Sequence, residues 1–253
     1  MLGKRHLYIR KIVIKSLETI IPAAGNSRRF KFKRSKIFYK FKKKTLIEIT
    51  LDKVCDFSKK IHLIIKRNDL LDLKKILYKK KYFKKINFII QNKQDGMATA
   101  ILLGLKHVKS KKFFTIWSDQ IYVTKKTIQK TIYNHFNQGN ILTFPTCYQN
   151  KPYTKVIYKK KKIIDILHSR DGHEFKNGYS DCGIFCGNTL FFNNHLKKLI
   201  KSKNILTKET KEYDFLNSFK FIKKKSRIKS FEIKNKLESK GINFLHDIKF
   251  KKS

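Results

Sequence analysis

The stretch ETIIPAAGNSRRFKFKRSKIFYKF, residues 18–41, joins an apolar run to a turn of small residues and then to a dense run of positive charge. The apolar run predicts a buried strand that ends at Ala23, Ala24 and Gly25. Tiny side chains at this point let a ligand approach the backbone, and Gly25 can adopt a positive φ at no steric cost. The stretch therefore predicts a strand that runs into an open loop at its carboxyl end.

The basic residues after this turn supply the charge that a bound phosphate group would need. Backbone N–H groups in such a loop can bind phosphate oxygens, and the Arg29 guanidinium would add a fork of donors. Lys36, seven residues later, could place a point charge on the same phosphates. The alternative interpretation is an ordinary strand-to-helix turn followed by a solvated basic face.

Short apolar runs alternate along the chain with longer segments that have apolar residues at helical spacing. Predicted strands lie at residues 19–25, 59–66, 86–92 and 112–119, and predicted helices at residues 45–57, 70–80 and 96–108. This alternation is typical of an α/β protein with a mostly parallel mixed sheet covered by helices on both faces. The second half is richer in strand patterns, at residues 140–148, 153–169 and 179–192. We expect ligands to bind beyond the carboxyl ends of the parallel strands, with the β-rich segments closing one side.

Net charge, taken alone, favours a different kind of partner. The 253 residues include 61 Lys and Arg against 18 Asp and Glu, a formal net charge of +43 that usually indicates nucleic-acid binding. The lysines, however, are spread from end to end, and other residues with AT-rich codons are abundant as well. A nucleic-acid interface should instead concentrate its charge on one face. We therefore favour compositional drift over nucleic-acid binding, although the charge would still attract a phosphorylated ligand.

The four cysteines, Cys55, Cys147, Cys182 and Cys186, form no CxxC pair, and no histidine stands at zinc-finger spacing. Neither a structural zinc site nor a disulfide framework is indicated, and reduced thiols are the expectation. The first residues lack an apolar run of signal-peptide length, and no run approaches the length of a membrane span. We expect a soluble, cytoplasmic protein with no membrane partner.

Four stretches in a fixed order resemble the sugar-1-phosphate nucleotidyltransferases, most closely the uridylyltransferase domain of N-acetylglucosamine-1-phosphate uridylyltransferase. In that family a strand runs into AAGxGxRM and a Pro-Lys pair follows; here the loop reads AAGNSRRF, with Lys36 at the lysine position. Ser27 replaces the second glycine and Ser35 replaces the proline. The resemblance implies that this loop binds the nucleotide and that Arg29 and Lys36 act on its phosphates.

The second stretch, QNKQDGMATAI, resembles the family segment whose glutamine and glycine contact the base. Gln94 and Gly96 occupy those positions, Gln91 lies nearby, and Met97 replaces the usual threonine. The resemblance implies nucleotide-binding roles for the two glutamines and the glycine. The alternative interpretation is a polar N-cap ahead of an amphipathic helix.

The third and fourth stretches imply a magnesium site. FFTIWSDQIYV resembles the strand-end Gly-Asp motif, with Ser118 in place of glycine and Asp119 as the carboxylate, and ESKGINFLHDI resembles the C-terminal GVN motif, with Asn243 as the second ligand. One Asp and one Asn suffice, because Mg²⁺ completes its octahedron with water and substrate phosphates. The alternative makes Asp119 a turn former or helix cap.

Weaker matches imply substrate-binding residues. YTKVI places Lys155 at the arginine of a GYGRI segment, and YSDCGIF places Asp181 at the asparagine of the segment that contacts the sugar. ILHSRD carries His168 where a glutamate is expected, and KEYDFLN carries Asn217 at the final aspartate of an EYYLTD stretch.

The resemblance spans residues 20–247 and implies a Rossmann-like three-layer nucleotidyltransferase fold. We predict an N-terminal extension at residues 1–17 and one domain at residues 18–250, divided into a nucleotide-binding half (18–140) and a sugar-binding half (141–250). The implied enzyme uses Mg²⁺ to join a nucleoside triphosphate, UTP foremost, to N-acetylglucosamine 1-phosphate, while its oligomeric state stays open. Acetyl transfer is not expected, since the resemblance does not include the family's β-helix acetyltransferase domain. The alternatives are a cytidylyltransferase for polyol or choline phosphate and a basic nucleic-acid-binding protein.

Overall fold

A computed structural model describes residues 17–26, 30, 32, 34–244 and 247, without the side chain of Arg170. Its strands are β1 (Glu18–Pro22), β2 (Lys40–Phe41), β3 (Lys44–Thr45), β4 (Lys60–Ile65), β5 (Ile86–Ile90), β6 (Lys112–Ile116), β7 (Leu142–Asn150), β8 (Thr154–Lys159), β9 (Lys162–His168), β10 (Asn177–Asp181), β11 (Ile184–Asn188) and β12 (Ile228–Glu232). Its α-helices are α1 (Leu46–Val54), α2 (Leu70–Leu77), α3 (Met97–Leu105), α4 (Lys125–Gln138) and α5 (Thr189–Lys201).

One mixed sheet of eight strands organises the molecule. The strands lie in the order β10-β7-β11-β6-β1-β4-β5, and β12 also pairs with β7. The four strands β1, β4, β5 and β6 are mutually parallel, whereas β11 runs antiparallel to both β6 and β7. Because the parallel strands share one direction, their carboxyl ends lie along one edge of the sheet, which we call the carboxyl edge.

Helices cover both faces of this sheet because each central strand is apolar on both sides. Ile20 and Ile21 are both fully buried, yet they belong to different hydrophobic clusters, as alternation along a strand requires. The cluster around Ile21 contains α1, α2 and α4, and the cluster around Ile20 contains α3 and α5. The predicted α/β fold with a mostly parallel mixed sheet between two helical layers is confirmed.

Local sequence signals set the helix ends. At the start of α1 the Thr45 hydroxyl accepts a hydrogen bond from the Glu48 N–H, and the Glu48 carboxylate accepts one from the Thr45 N–H (2.8 Å). This reciprocal capping satisfies two N–H groups that the helix itself leaves unpaired. At the end of α4, Gly139 adopts the left-handed conformation (φ 59°) that commonly ends helices.

The predicted first-half elements all form, but two helices of the described chain were missed. The pattern at residues 179–192 predicts only strand, whereas α5 begins at Thr189, where the Asn188 side chain accepts a hydrogen bond from the Phe191 N–H (3.0 Å). The helix α4 was not predicted, because polar residues surround its narrow apolar stripe of Ile128, Ile132 and Phe136.

Strands from both predicted halves share the main sheet, since β6 pairs with β11, while β8 and β9 form a separate antiparallel hairpin. Leu17 is buried in the core, and residues 1–16 lie outside the described chain. No helix in the described part of the chain is long and apolar enough to cross a membrane.

Candidate active site

The carboxyl edge gathers the loops that carry three of the four motifs. The loop after β1 begins at Ala23, the loop after β5 at Gln91, and the loop after β6 at Trp117. The Ala23 N–H donates to the Ile64 carbonyl (2.7 Å), and the Gln91 N–H donates to the Ile65 carbonyl (2.9 Å). The first residue of each loop is therefore still bonded to the end of β4, and the two loops begin at the same level of the sheet. The topology therefore brings together residues that are more than ninety positions apart in sequence.

The described start of the loop after β1, residues 23–26, is open at Gly25, as its small residues predict. Ala23 and Ala24 are buried, while Gly25 is exposed, and a Cβ added there would meet nothing within 4 Å. Gly25 does not adopt a positive φ, so its role is space rather than unusual backbone conformation. Arg29 lies outside the described residues, and its predicted phosphate contact stays a prediction.

Lys36 lies on a short 3-10 turn after this loop, and its side chain reaches the end of β6. Its Nζ donates to Asp119 Oδ2 (2.5 Å) and to the main-chain carbonyl oxygen of Ile242 (3.2 Å). The Lys36 and Asp119 side chains are 18% and 14% exposed, so the pair lies at the bottom of the site and still meets solvent. The two residues that the resemblance assigned to phosphate and metal thus meet at one point.

The C-terminal Gly-Ile-Asn segment lies directly against Asp119. The Ile242 N–H donates to the Asp119 carbonyl (3.1 Å), and a Cβ added to Gly241 would lie 3.5 Å from the Asp119 carboxylate carbon. Asn243 follows at once, with its N–H bonded to Asp247 Oδ2 (2.8 Å). The fold therefore places the main chain of both predicted metal ligands side by side.

The donor set around Asp119 suits a hard cation. Two oxygens, from Asp119 and Ile242, already converge on the positively charged Lys36 ammonium, and hard cations such as Mg²⁺ prefer oxygen ligands. Within residues 17–26, 30, 32, 34–244 and 247, no three His, Cys, Asp or Glu side chains gather as a metal site. A magnesium ion at this edge would therefore depend on Asp119 together with neutral oxygens.

The predicted base-contacting residues form a braced loop between β5 and α3. Gln91 is buried, and its Nε2 donates to Thr99 Oγ1 (3.1 Å); the Gln94 Nε2 donates to the Gln91 carbonyl (2.8 Å). Gly96 has φ 126°, and a Cβ there would lie 2.4 Å from the Tyr213 carbonyl oxygen. Only glycine fits this position, because the Tyr213 main chain crosses over it.

Three predicted substrate-binding residues surround a residue that the sequence did not single out, Asp214. His168 Nε2 lies 3.2 Å from Asp214 Oδ2, and the Asn217 N–H donates to Asp214 Oδ1 (3.2 Å). Asp181 accepts hydrogen bonds from Thr154 Oγ1 (2.6 Å) and from the backbone N–H of the residue two positions later (2.7 Å). Burial raises the pKa of Asp181, against these hydrogen bonds and the nearby His168. We call His168, Asp181 and Asp214 the buried polar cluster.

Lys155 lies apart from the buried polar cluster. It follows Thr154 on β8, so its side chain emerges on the opposite face of the strand. Its methylene groups lie about 3 Å from where a Cβ of Gly178 would be, and its Nζ lies 5.7 Å from the centre of the Phe175 ring.

Gln120, which the sequence reasoning missed, connects the two parts of the site. A Cβ on Gly183 would lie 2.5 Å from Gln120 Nε2, and one on Gly241 would lie 3.2 Å from the same atom. Gly183 also has φ 64°, and its carbonyl accepts a hydrogen bond from the Trp117 N–H (3.0 Å). The buried polar cluster therefore abuts the Asp119 loop, with Gln120 filling the space between them.

Two cavities differ in their position relative to this edge. One of about 360 Å³ opens beside the loop after β1, lined by Asn26, Phe32, Arg34, Ser35, Lys66, Asn68, Asp69 and Asp72. A larger one, of about 510 Å³, lies between the end of α4 and the starts of β7 and β12. The larger cavity is at the opposite edge of the sheet, where parallel α/β folds seldom bind ligands, so size alone does not locate the site.

Comparison with known proteins shows which proteins the chain resembles. The family model described as the MobA-like NTP transferase domain matches residues 19–178, the part of the chain that contains the loops after β1, β5 and β6. The Bifunctional protein GlmU of Buchnera aphidicola subsp. Schizaphis graminum is 26% identical over 234 residues, which are 90% of this chain and 49% of that protein. The chain thus spans about half the length of this relative.

Solved structures show the same fold at low identity. A Bacillus anthracis structure, provisionally named a glucose-1-phosphate thymidylyltransferase, has a TM-score of 0.72 and 18% identity, with 92% of each chain covered. The inositol-1-phosphate CTP transferase from T. maritima has a TM-score of 0.67 and 17% identity, with 87% of each chain covered.

Proposed function

Because the chain belongs to the MobA-like NTP transferase domain family, we propose that it transfers a nucleotidyl group from UTP to N-acetylglucosamine 1-phosphate. The products are UDP-N-acetylglucosamine and pyrophosphate. The expectation of a nucleotidyltransferase enzyme is confirmed at the level of the family, and the choice of base and sugar is the proposed part.

One observation carries the proposal: Lys36 and Asp119 meet at the carboxyl edge, next to the open loop that ends β1. The loop offers backbone N–H groups, and Lys36 offers a compact charge for phosphate oxygens. A carboxylate at the same point suits a nucleotide that arrives with a divalent cation. A generic basic surface would have no reason to place a carboxylate at the end of an apolar strand.

The chemistry is an in-line displacement at the α-phosphorus. An oxygen of the sugar 1-phosphate forms the new P–O bond, the bond to the bridging oxygen breaks, and pyrophosphate leaves with the electron pair. No side-chain nucleophile is needed, since positioning and charge neutralisation supply most of the rate. Lys36 and Arg29 would hold the phosphates in line, and Asp119 and Asn243 would hold Mg²⁺, which would supply charge neutralisation for the phosphate oxygens.

The nucleotide base is proposed to bind at the loop between β5 and α3. The hydrogen bonds of Gln91 and Gln94 fix this loop, and the absence of a side chain at Gly96 lets the Tyr213 main chain pack against it. A base bound to this segment would contact groups that are already held in place. This preorganisation lowers the entropic cost of binding.

The sugar is proposed to bind at the end of β10, where the buried polar cluster abuts the Asp119 loop. His168, Asp181 and Asn217 offer polar groups suited to hydroxyl and amide groups of a sugar. Lys155 lies on the other face of β8, so it belongs to this sugar site only if the hairpin moves toward the substrate. The assignment of N-acetylglucosamine rests on the relatives named GlmU.

A second candidate is a cytidylyltransferase that acts on a polyol phosphate. The observation that favours it is the likeness in fold to the inositol-1-phosphate CTP transferase, which is comparable to the likeness to the thymidylyltransferase. Both reactions would use the same phosphate-binding edge and differ in the base and the acceptor.

Pyrophosphate release from a matrix of nucleoside triphosphates and phosphate acceptors tests the proposal. We expect the fastest release from UTP with N-acetylglucosamine 1-phosphate, and none when magnesium is omitted. Release that is fastest with CTP and inositol 1-phosphate would establish the second candidate instead. A matrix in which no pair releases pyrophosphate would contradict both.

A further inference from the structure

The Lys36 ammonium lies where a metal ion on Asp119 would lie. It is 2.5 Å from Asp119 Oδ2 and 3.2 Å from the Ile242 carbonyl oxygen. These are two acceptor oxygens from distant parts of the chain that point at one cationic centre. A magnesium–oxygen distance is about 2.1 Å, so a metal bound to the same carboxylate oxygen would occupy nearly the same volume.

We propose that the Asp119 carboxylate and the Ile242 carbonyl form a cation pocket that Lys36 fills in the unloaded protein and that a divalent cation takes over. The ammonium and the metal exclude each other, because both are positive and both need the same oxygen. The Ile242 carbonyl then becomes a main-chain ligand of the metal, in addition to the side chains of Asp119 and Asn243. This inference rests on the proposed function for its magnesium and goes beyond it in assigning the carbonyl and the exchange.

The backbone holds this pocket together independently of Lys36. The Ile242 N–H donates to the Asp119 main-chain carbonyl (3.1 Å), so the main chains that carry the two oxygens stay together when the ammonium leaves. Gly241 adds no side chain above the Asp119 carboxylate. The two sides of the pocket are thus joined by the backbone and not only by the lysine.

The displaced lysine has a second place to bind. Lys36 follows the open loop after β1 by eleven residues and lies on a turn beside it, so its flexible stem can turn from Asp119 toward phosphates held by that loop. A free metal ion must displace the ammonium from Asp119 and brings no phosphate to accept it. A metal–nucleotide complex brings both the replacement cation and the phosphates that accept the ammonium, so nucleotide and metal should bind cooperatively.

Mn²⁺ is a suitable probe, because it shares the oxygen preference of Mg²⁺ and its binding is read directly from its electron paramagnetic resonance signal. We compare the wild type, Lys36→Met and Lys40→Met, all without nucleotide. Lys40 is an exposed residue four positions away, so its substitution removes the same charge from the same region. Circular dichroism of each variant checks that it is folded.

We expect Lys36→Met to bind one Mn²⁺ about tenfold more tightly than the wild type, a change that corresponds to about 1.4 kcal/mol. Lys40→Met should bind as the wild type does, and Asp119→Asn in the Lys36→Met background should lose the site. Equal Mn²⁺ affinity in the wild type and Lys36→Met, or equal tightening in Lys40→Met, would overturn the cation pocket.

The outcome is separable from that of the proposed function. Tighter Mn²⁺ binding by Lys36→Met, with no pyrophosphate released from any substrate pair by the wild type, would support the pocket and contradict the transfer reaction. Turnover by the wild type, with unchanged Mn²⁺ affinity in Lys36→Met, would support the transfer reaction and contradict the pocket.

Discussion

The Lys36–Asp119 pair and the buried polar cluster are both groups of interacting polar side chains, and they differ in access to solvent. Lys36 and Asp119 are 18% and 14% exposed and lie beside an open loop. The side chains of His168 and Asp214 are 6% and 3% exposed, and Asp181 is bonded to Thr154 and to a backbone N–H. One group can exchange its partners with a ligand, whereas the other is held by the protein.

This difference predicts a different balance between the effects on turnover and on stability. A partly solvated ion pair contributes little to folding, so removing one of its partners should change turnover much more than stability. A buried carboxylate costs free energy unless hydrogen bonds compensate it, so loss of a partner there should destabilise the fold. Substitutions in the two groups should therefore affect different measurements.

The largest effect is expected for Asp119→Asn. The substitution removes the negative charge that holds a divalent cation, and turnover should fall by about a thousandfold or more. The free energy of unfolding should change by about 1 kcal/mol or less, because the side chain is not part of the core. Steady-state pyrophosphate release and urea unfolding measure the two effects. A large loss of stability alongside the loss of turnover would mean that Asp119 supports the fold in the way that the buried polar cluster does.

Lys36→Ala should lower turnover by about a hundredfold, because one phosphate-neutralising charge is lost at the reacting centre. Its matched control is Lys40→Ala, an exposed lysine that should lose less than about twofold. Similar small losses in the two variants would mean that the loop is a generic basic surface. Arg29→Ala is expected to behave like Lys36→Ala in the same assay.

Thr154→Val tests the buried polar cluster. Valine keeps the shape of threonine but removes the hydroxyl that donates to Asp181 Oδ2, leaving a buried carboxylate with one donor fewer. We expect the free energy of unfolding to fall by about 2 kcal/mol, with a much smaller change in turnover per folded molecule. Thr210→Val removes an exposed hydroxyl that is bonded to Thr207 Oγ1 (2.6 Å) and not to a carboxylate, and it should change stability by less than about 1 kcal/mol. Unchanged stability in Thr154→Val would contradict the comparison.

The smallest effect is a pH dependence at Asp181. Burial raises the pKa of Asp181 in the folded state, so folding favours the protonated form of this side chain. The free energy of unfolding of the wild type therefore declines as pH rises from about 4 through the raised pKa. Asn cannot ionise, and its amide can still pair with the hydroxyl of Thr154. The stability of Asp181→Asn relative to the wild type should therefore increase with pH over that window. Urea unfolding across this range would contradict the pKa direction if the difference stayed flat or fell.

The parallel part of the sheet was predictable because its signals are local. Each of β1, β4, β5 and β6 is a short apolar run followed by polar or small residues. Parallel strands place such ends along one edge, so Gly25, Gln91 and Asp119 could be expected near one another, while their roles came from the family resemblance. The beginning of α5 was missed because the apolar residues after Asn188 fit a strand as well as a helix.

Other parts of the site have no signature in sequence. Asp214 joins His168 only through the tertiary fold; it lies in the KEYDFLN stretch, but that match pointed to Asn217 and not to Asp214. The role of Ile242 depends on its main-chain carbonyl, which every residue type possesses. The glycine at position 96 is explained by the Tyr213 main chain, 117 residues away. Contacts of this kind appear only when the fold is known.

A crystal structure of the protein soaked with Mn²⁺ and a non-hydrolysable UTP analogue tests the central claim most directly. The account predicts an anomalous peak within roughly 2.5 Å of an Asp119 carboxylate oxygen, with the triphosphate on the loop after β1. Lys36 Nζ should have left Asp119, 2.5 Å away in the unloaded protein, for a phosphate oxygen. A nucleotide bound away from the carboxyl edge, or a metal bound without Asp119, would contradict it.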